Sequence, residues 1–141
     1  MRLILSAATF TFLFPLLGVA QSTGIKPNSL APYVNSPALV VERMLELAQL
    51  KPGETLFDLG SGDGRVLIAA ASRFNVKAVG VELSERLVKK SQDRIQQEGL
   101  SDRASVVHDN LLNADISSAD VVILYLLRDA NDMIRPKLEA S

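Results

Sequence analysis

Apolar and polar positions fall into blocks along the chain, and the period inside each block separates helix from strand. Residues 3–20 are almost wholly apolar or small and show no period, with Arg2 ahead of them and Gln21, Ser22, Thr23 and Gly24 behind. Residues 21–35 hold Gly24, Pro27 and Pro32 among small polar residues and read as a linker. Ser36 before Pro37 is a helix start, an N-cap residue followed by a proline at the first helical position. Val40, Met44 and Leu47 then recur at helical spacing with Val41, Leu45 and Ala48 beside them, which predicts a helix over 37–50, ended by Lys51, Pro52 and Gly53.

Beyond Gly53 strand and helix alternate. Thr55–Leu59 is a short apolar strand, 66–71 a buried helix and 77–81 a second strand. Ser84 caps a longer helix with Leu87, Val88, Ser91 and Ile95 on its inner face and Gly99 as its stop. Ala104–His108 predicts a third strand and 120–126 a fourth, followed by a segment at 129–138 that Pro136 interrupts. Strands this apolar are buried on both faces, so the expected class is α/β, a Rossmann-like doubly wound parallel sheet with helices on either side. Its ligand belongs at the carboxyl ends of the strands.

Composition narrows the chemistry. The 141 residues make one domain, 36–141, and the net charge of −1 argues against nucleic acid as the main partner. With no cysteine and a single histidine, His108, thiolate nucleophiles, Cys-ligated metals and His-rich metal sites are excluded, and no metal site is expected. The N-terminal block acquires a meaning too. Arg2, the apolar centre, and Gly18 and Ala20 at the positions a signal peptidase reads form the three parts of an export signal over 1–20. An uncleaved anchor is the competing reading, with membrane association through residues 3–20. The expected location is exported, periplasmic or secreted, or membrane-anchored. The scarcity of arginine argues against a mitochondrial presequence.

The most informative stretch closes the first predicted strand: Phe57-Asp58-Leu59-Gly60-Ser61-Gly62-Asp63-Gly64-Arg65. Gly60, Gly62 and Gly64 allow a sharp turn and close approach of a ligand. A dinucleotide fingerprint places its third glycine one residue later, where this chain has Arg65, and Asp63 would repel a phosphate. A ligand carrying ammonium and sulfonium cations suits these carboxylates better. Glu82 ends the second strand at the distance where an acid accepts both hydroxyls of a ribose. Asp109, after the third strand, can accept from an adenine amino group.

Together these residues resemble the class I S-adenosylmethionine-dependent methyltransferases, from about Tyr33 to the C-terminus. Asp58-Leu59-Gly60-Ser61-Gly62-Asp63-Gly64 resembles the family's first motif, Glu82 its ribose acid, Asp109 its adenine-side acid, and Tyr125-Leu126-Leu127 the segment closing the fourth strand. The resemblance implies S-adenosyl-L-methionine as cofactor, with contacts from Tyr33, Asp58, Gly60, Ser61, Gly62, Asp63, Gly64, Glu82, Leu83, Asp109 and Asn110. No residue is assigned a catalytic role; Tyr125 is the candidate for the acceptor channel. More narrowly, Tyr33-Val34-Asn35-Ser36-Pro37 with the glycine motif is similar to small bacterial methyltransferases with export-like N-termini. It is also similar to the membrane-anchored mitochondrial lysine methyltransferases that modify ATP synthase, which implies a protein lysine as acceptor. Family members continue to a seventh strand, so the expectation is the N-terminal part of the fold in the order 3-2-1-4. The fourth strand then becomes an open edge through which the chain self-associates. The alternative is a cofactor-binding module or partner subunit without transferase activity.

Overall fold

The apolar runs become strands wherever turn residues bound them and helices wherever the 3.6-residue period holds. The structure, a computed structural model, describes residues 1–5, 36–126 and 128–140; the linker, Tyr33, Asn35 and most of the segment read as signal or anchor lie outside these residues. The elements are β1 (Arg2–Leu5), α1 (Ala38–Ala48), β2 (Thr55–Leu59), α2 (Arg65–Phe74), β3 (Lys77–Glu82), α3 (Glu85–Gln97), β4 (Ala104–His108), β5 (Val121–Leu124) and α4 (Arg128–Glu139). The sheet runs β1-β5-β2-β3-β4 with every pair parallel.

Side chains alternate across this sheet into two cores. Leu56 and Ile123 face the side covered by Val41, Met44 and Leu45 of α1, Val66 and Leu67 of α2, and Val88 and Ile95 of α3. Phe57, Leu59, Val122 and Leu124 face the other side, under Ala114, Ile116 and Ile134 and Leu138 of α4. The buried stripe of α3 is Leu87, Val88, Ser91 and Ile95, as its period requires. Helix α4 runs through Pro136, which lies on its exposed face.

The sheet reproduces the expected order 3-2-1-4 as β4-β3-β2-β5 and adds a strand beyond it. The open edge expected at the fourth strand is corrected, and self-association through it is left without support: β1 pairs with the whole of β5, from Arg2 opposite Val121 to Leu5 opposite Leu124. The physical reason is local. Arg2 donates its backbone N–H to the Asp120 carbonyl at 2.9 Å, its Nη1 to the Gln49 carbonyl at 3.0 Å and its Nη2 to Glu54 Oε2 at 2.5 Å. Leu3 and Ile4 then supply an apolar strand of the right length. Among the described residues no helix is long and apolar enough to cross a membrane.

Candidate active site

The carboxyl ends of β2, β3 and β4 are stitched together by their own backbone. The N–H groups of Gly60 and Ser61 donate to the Val81 carbonyl at 2.8 and 3.1 Å, and that of Asp109 donates to the Glu82 carbonyl at 3.1 Å. The carboxyl ends that carry Asp58, Glu82 and Asp109 thus lie side by side along one edge of the sheet.

The glycine loop is fixed to Glu82. Gly62, at φ 57, turns its N–H onto Glu82 Oε2 at 2.9 Å, while Ser84 N–H donates to Oε1 at 2.7 Å. Each carboxylate oxygen thus spends one lone pair on backbone and keeps another for a hydroxyl. Leu83, the next residue, is an exposed large apolar side chain at 39%. Gly64, at φ 78, is buried against α3, where a Cβ would run into Ser91. The loop therefore tolerates no side chain at this point.

Asp58 is buried, and that burial, helped by the charge of Glu82, pushes its carboxyl up to about 7. A buried carboxyl held at this value favours a cationic neighbour, because the cation offsets the cost of ionising it.

Two side chains of the motif turn away from the crevice. Ser61 Oγ is buried without a hydrogen-bond partner among the described residues and packs over Gly80 of β3, so only the backbone of Ser61 is offered to a ligand. Asp63 does not face a cationic ligand. Arg65 donates Nε and Nη2 to its two carboxylate oxygens at 2.9 Å each, and Nη1 to the Ser36 carbonyl at 2.7 Å. Arg94 reaches Oδ2 at 2.8 Å and donates to the Asp63 carbonyl at 3.0 Å, and Lys90 lies 3.7 Å away. The Arg65 hydrogen bonds, with the charges of Arg65, Arg94 and Lys90, hold the Asp63 carboxyl down to about 2. Asp63 is a clamp between the loop and α3, held on the α3 side by Lys90 and Arg94.

The adenine-side residues sit in a turn that they build themselves. Asp109 Oδ1 accepts from Asn110 N–H at 2.7 Å, and Asn110 Oδ1 from Leu112 N–H at 3.0 Å. Lys137 of α4, missed in the sequence, ties this turn down by donating Nζ to the carbonyls of Leu111 at 3.2 Å, Leu112 at 3.0 Å and Ala114. His108 bonds the Leu83 carbonyl through Nε2 at 2.9 Å, a strand-end link rather than a base. Tyr125 follows β5 and is half-buried against the α1–α3 core. Asn131 was also missed. It is buried, donates Nδ2 to the Leu126 carbonyl at 3.3 Å, and keeps Oδ1 unpartnered among the described residues. Its signal was a polar residue beside the apolar stripe Ala130, Ile134 and Leu138.

Known proteins share this sequence and fold. The chain is 47% identical over 109 residues to a protein-lysine N-methyltransferase of Saccharolobus islandicus, covering 77% of this chain and 68% of that protein. It is 31% identical over 110 residues to the adenine nucleotide translocase lysine N-methyltransferase of Mus musculus, covering 78% of this chain and spanning 48% of that relative. A crystal structure described as an RNA methyltransferase from Salinibacter ruber, in complex with S-adenosyl-L-homocysteine, superposes with a TM-score of 0.73 at 45% identity, covering 74% of this chain and 69% of that one. The ANTKMT methyltransferase domain pattern matches residues 58–141, beginning at the buried acid of β2 and running through α4, so the chain belongs to the ANTKMT family of methyltransferase domains.

Proposed function

We propose that the chain binds S-adenosylmethionine at the ends of β2, β3 and β4 and transfers its methyl group to the amine of a protein lysine. The observation that carries this reading is the joint between the glycine loop and Glu82, which leaves a carboxylate positioned to accept from a ribose. Leu83 offers an apolar face to adenine, and Asp58 responds to positive charge. The cofactor, when bound, supplies an electrophilic methyl and a neutral leaving group. The protein's part is to hold the methyl in line with the incoming amine and to exclude water. This asks for little acid–base machinery, in keeping with a chain whose one histidine is spent on a structural hydrogen bond.

The lysine acceptor is supported by the name of the 47% identical relative. An RNA acceptor is the second reading, supported by the description of the Salinibacter structure. One experiment separates them: incubation of the purified chain with methyl-labelled S-adenosylmethionine and either lysine-bearing proteins or RNA. Label on lysine is the expected result, and label on RNA alone overturns the acceptor. Binding of S-adenosylhomocysteine without any transfer identifies a cofactor-binding module. We further propose that residues 3–20, where they are taken up by a membrane or an export apparatus instead of completing the sheet, put the chain beyond or on that membrane. Fractionation of a C-terminally tagged chain tests this, and a wholly cytosolic distribution overturns it.

A further inference from the structure

A groove of about 500 Å³ runs between α1, α2 and α3, on the outer side of the Asp63 clamp. Ala38, Val41 and Ala69 give it an aliphatic floor, and Arg65, Arg73, Lys90 and Arg94 bring four cations to it against the two carboxylates Asp63 and Glu42. The cations are unevenly spent. The Lys90 ammonium lies 3.7 Å from Asp63 and the Arg73 guanidinium 3.5 Å from Glu42, both half exposed, and Arg94 uses only Nη1 among the described residues. The counter-charge does not come from the N-terminal segment, because residues 6–35 contain no Asp or Glu.

We infer that this groove is a site for a compact, multivalent oxyanion of the phosphate type, held by Arg73, Lys90 and Arg94, whose occupation weakens cofactor binding. Guanidinium and ammonium donors converging on one cavity recognise such oxyanions by charge-assisted hydrogen bonds, and the volume is that of a small-ligand site. The coupling follows from shared partners. Lys90 and Arg94 also hold Asp63, and Asp63 holds the loop whose Gly62 N–H meets Glu82. An anion that draws these two cations outward loosens the loop, so anion and cofactor oppose each other, reciprocally.

The test is calorimetry on the full chain with pyrophosphate as probe, against sodium chloride at matched ionic strength. Saturable pyrophosphate binding is expected. At saturation the affinity for S-adenosylhomocysteine should fall by about 5-fold, the lower end of ordinary coupling. Arg73→Gln should weaken pyrophosphate about 3- to 5-fold, the range of an exposed ion pair, and leave S-adenosylhomocysteine affinity without pyrophosphate unchanged. No saturable binding, or the same affinity in Arg73→Gln and Lys90→Gln as in wild type, overturns the site. An S-adenosylhomocysteine affinity indifferent to pyrophosphate overturns the coupling. A short RNA that displaces pyrophosphate at lower concentration overturns the compact ligand in favour of a nucleic acid.

Discussion

Asp58 titrates near 3.8 when unfolded and near 7 in the fold, so folding favours its protonated form. Its contribution to stability is fully present below about pH 4 and is lost as pH rises through 7, by about 4 kcal/mol in total. The melting temperature of the ligand-free chain should therefore fall across that window, and Asp58→Asn should flatten the fall; an unchanged slope in the variant would locate the titration elsewhere. A sulfonium ligand pulls the same group toward its ionised form. Calorimetry near pH 6.5, in buffers of different ionisation enthalpy, should show a proton released on S-adenosylmethionine binding by wild type and none by Asp58→Asn. Glu82→Ala should weaken S-adenosylmethionine by about 1 to 3 kcal/mol, the scale of charge-assisted hydrogen bonds, while unaltered affinity would place the ribose on other groups. Gly62→Val should abolish binding, because a branched side chain resists φ 57 and fills the ligand's space. Glu82 was legible because its distance from the glycines is set by one helix and one strand. The inward turn of Ser61 was not, since it depends on Gly80 leaving room in the neighbouring strand.

Between elements, the Asp63 clamp joins the start of α2 to Lys90 and to Arg94 in the last turn of α3 and, through Arg65, to Ser36 ahead of α1. Asp63→Asn keeps the shape and removes the charge that three cations share. It should cost about 1 to 3 kcal/mol of stability, seen as a lower urea midpoint, and should raise the KM for S-adenosylmethionine more than it lowers kcat. An equal fall of kcat with unchanged KM would mean that the clamp does not set the loop. Since folding lowers the Asp63 carboxyl from 3.8 to about 2, this stabilisation is present above pH 4 and lost as pH falls through 2. The β2–β5 strands and helices α1–α3 were legible to within a few residues, because each is a periodic or continuous apolar block bounded by Gly, Pro or Ser. The clamp was not: Arg94 lies 31 residues beyond Asp63 on the next helix, and only the tertiary fold turns it onto Asp63. Lys137 escaped for the same reason, its partners being backbone carbonyls of a distant turn.

Across the whole molecule, β1 decides whether β5 is an interior or an edge strand. An aperiodic apolar run gave no sign that its first residues pair in a sheet, because an export segment and a buried strand share the same composition. Ile4 packs against the α1–α3 core, so Ile4→Asp should destabilise the full chain by about 1 to 3 kcal/mol and produce concentration-dependent light scattering as β5 is uncovered. A monodisperse, equally stable variant would show that the β1 position is dispensable. The pairing of Arg2 with Val121 also sets an order in time. β1 finds its place only beside β5, a strand far along the chain, so its residues wait unpaired until β5 has been made. Closing so long a loop adds little to the equilibrium cost, which grows only with the logarithm of length, but it makes β1 a late arrival. During that interval the residues of β1 are available to whatever recognises apolar segments. Under the export reading proposed above, capture by a translocation apparatus and completion of the sheet compete for the same residues of β1, and the speed of synthesis becomes one of the things that chooses between them.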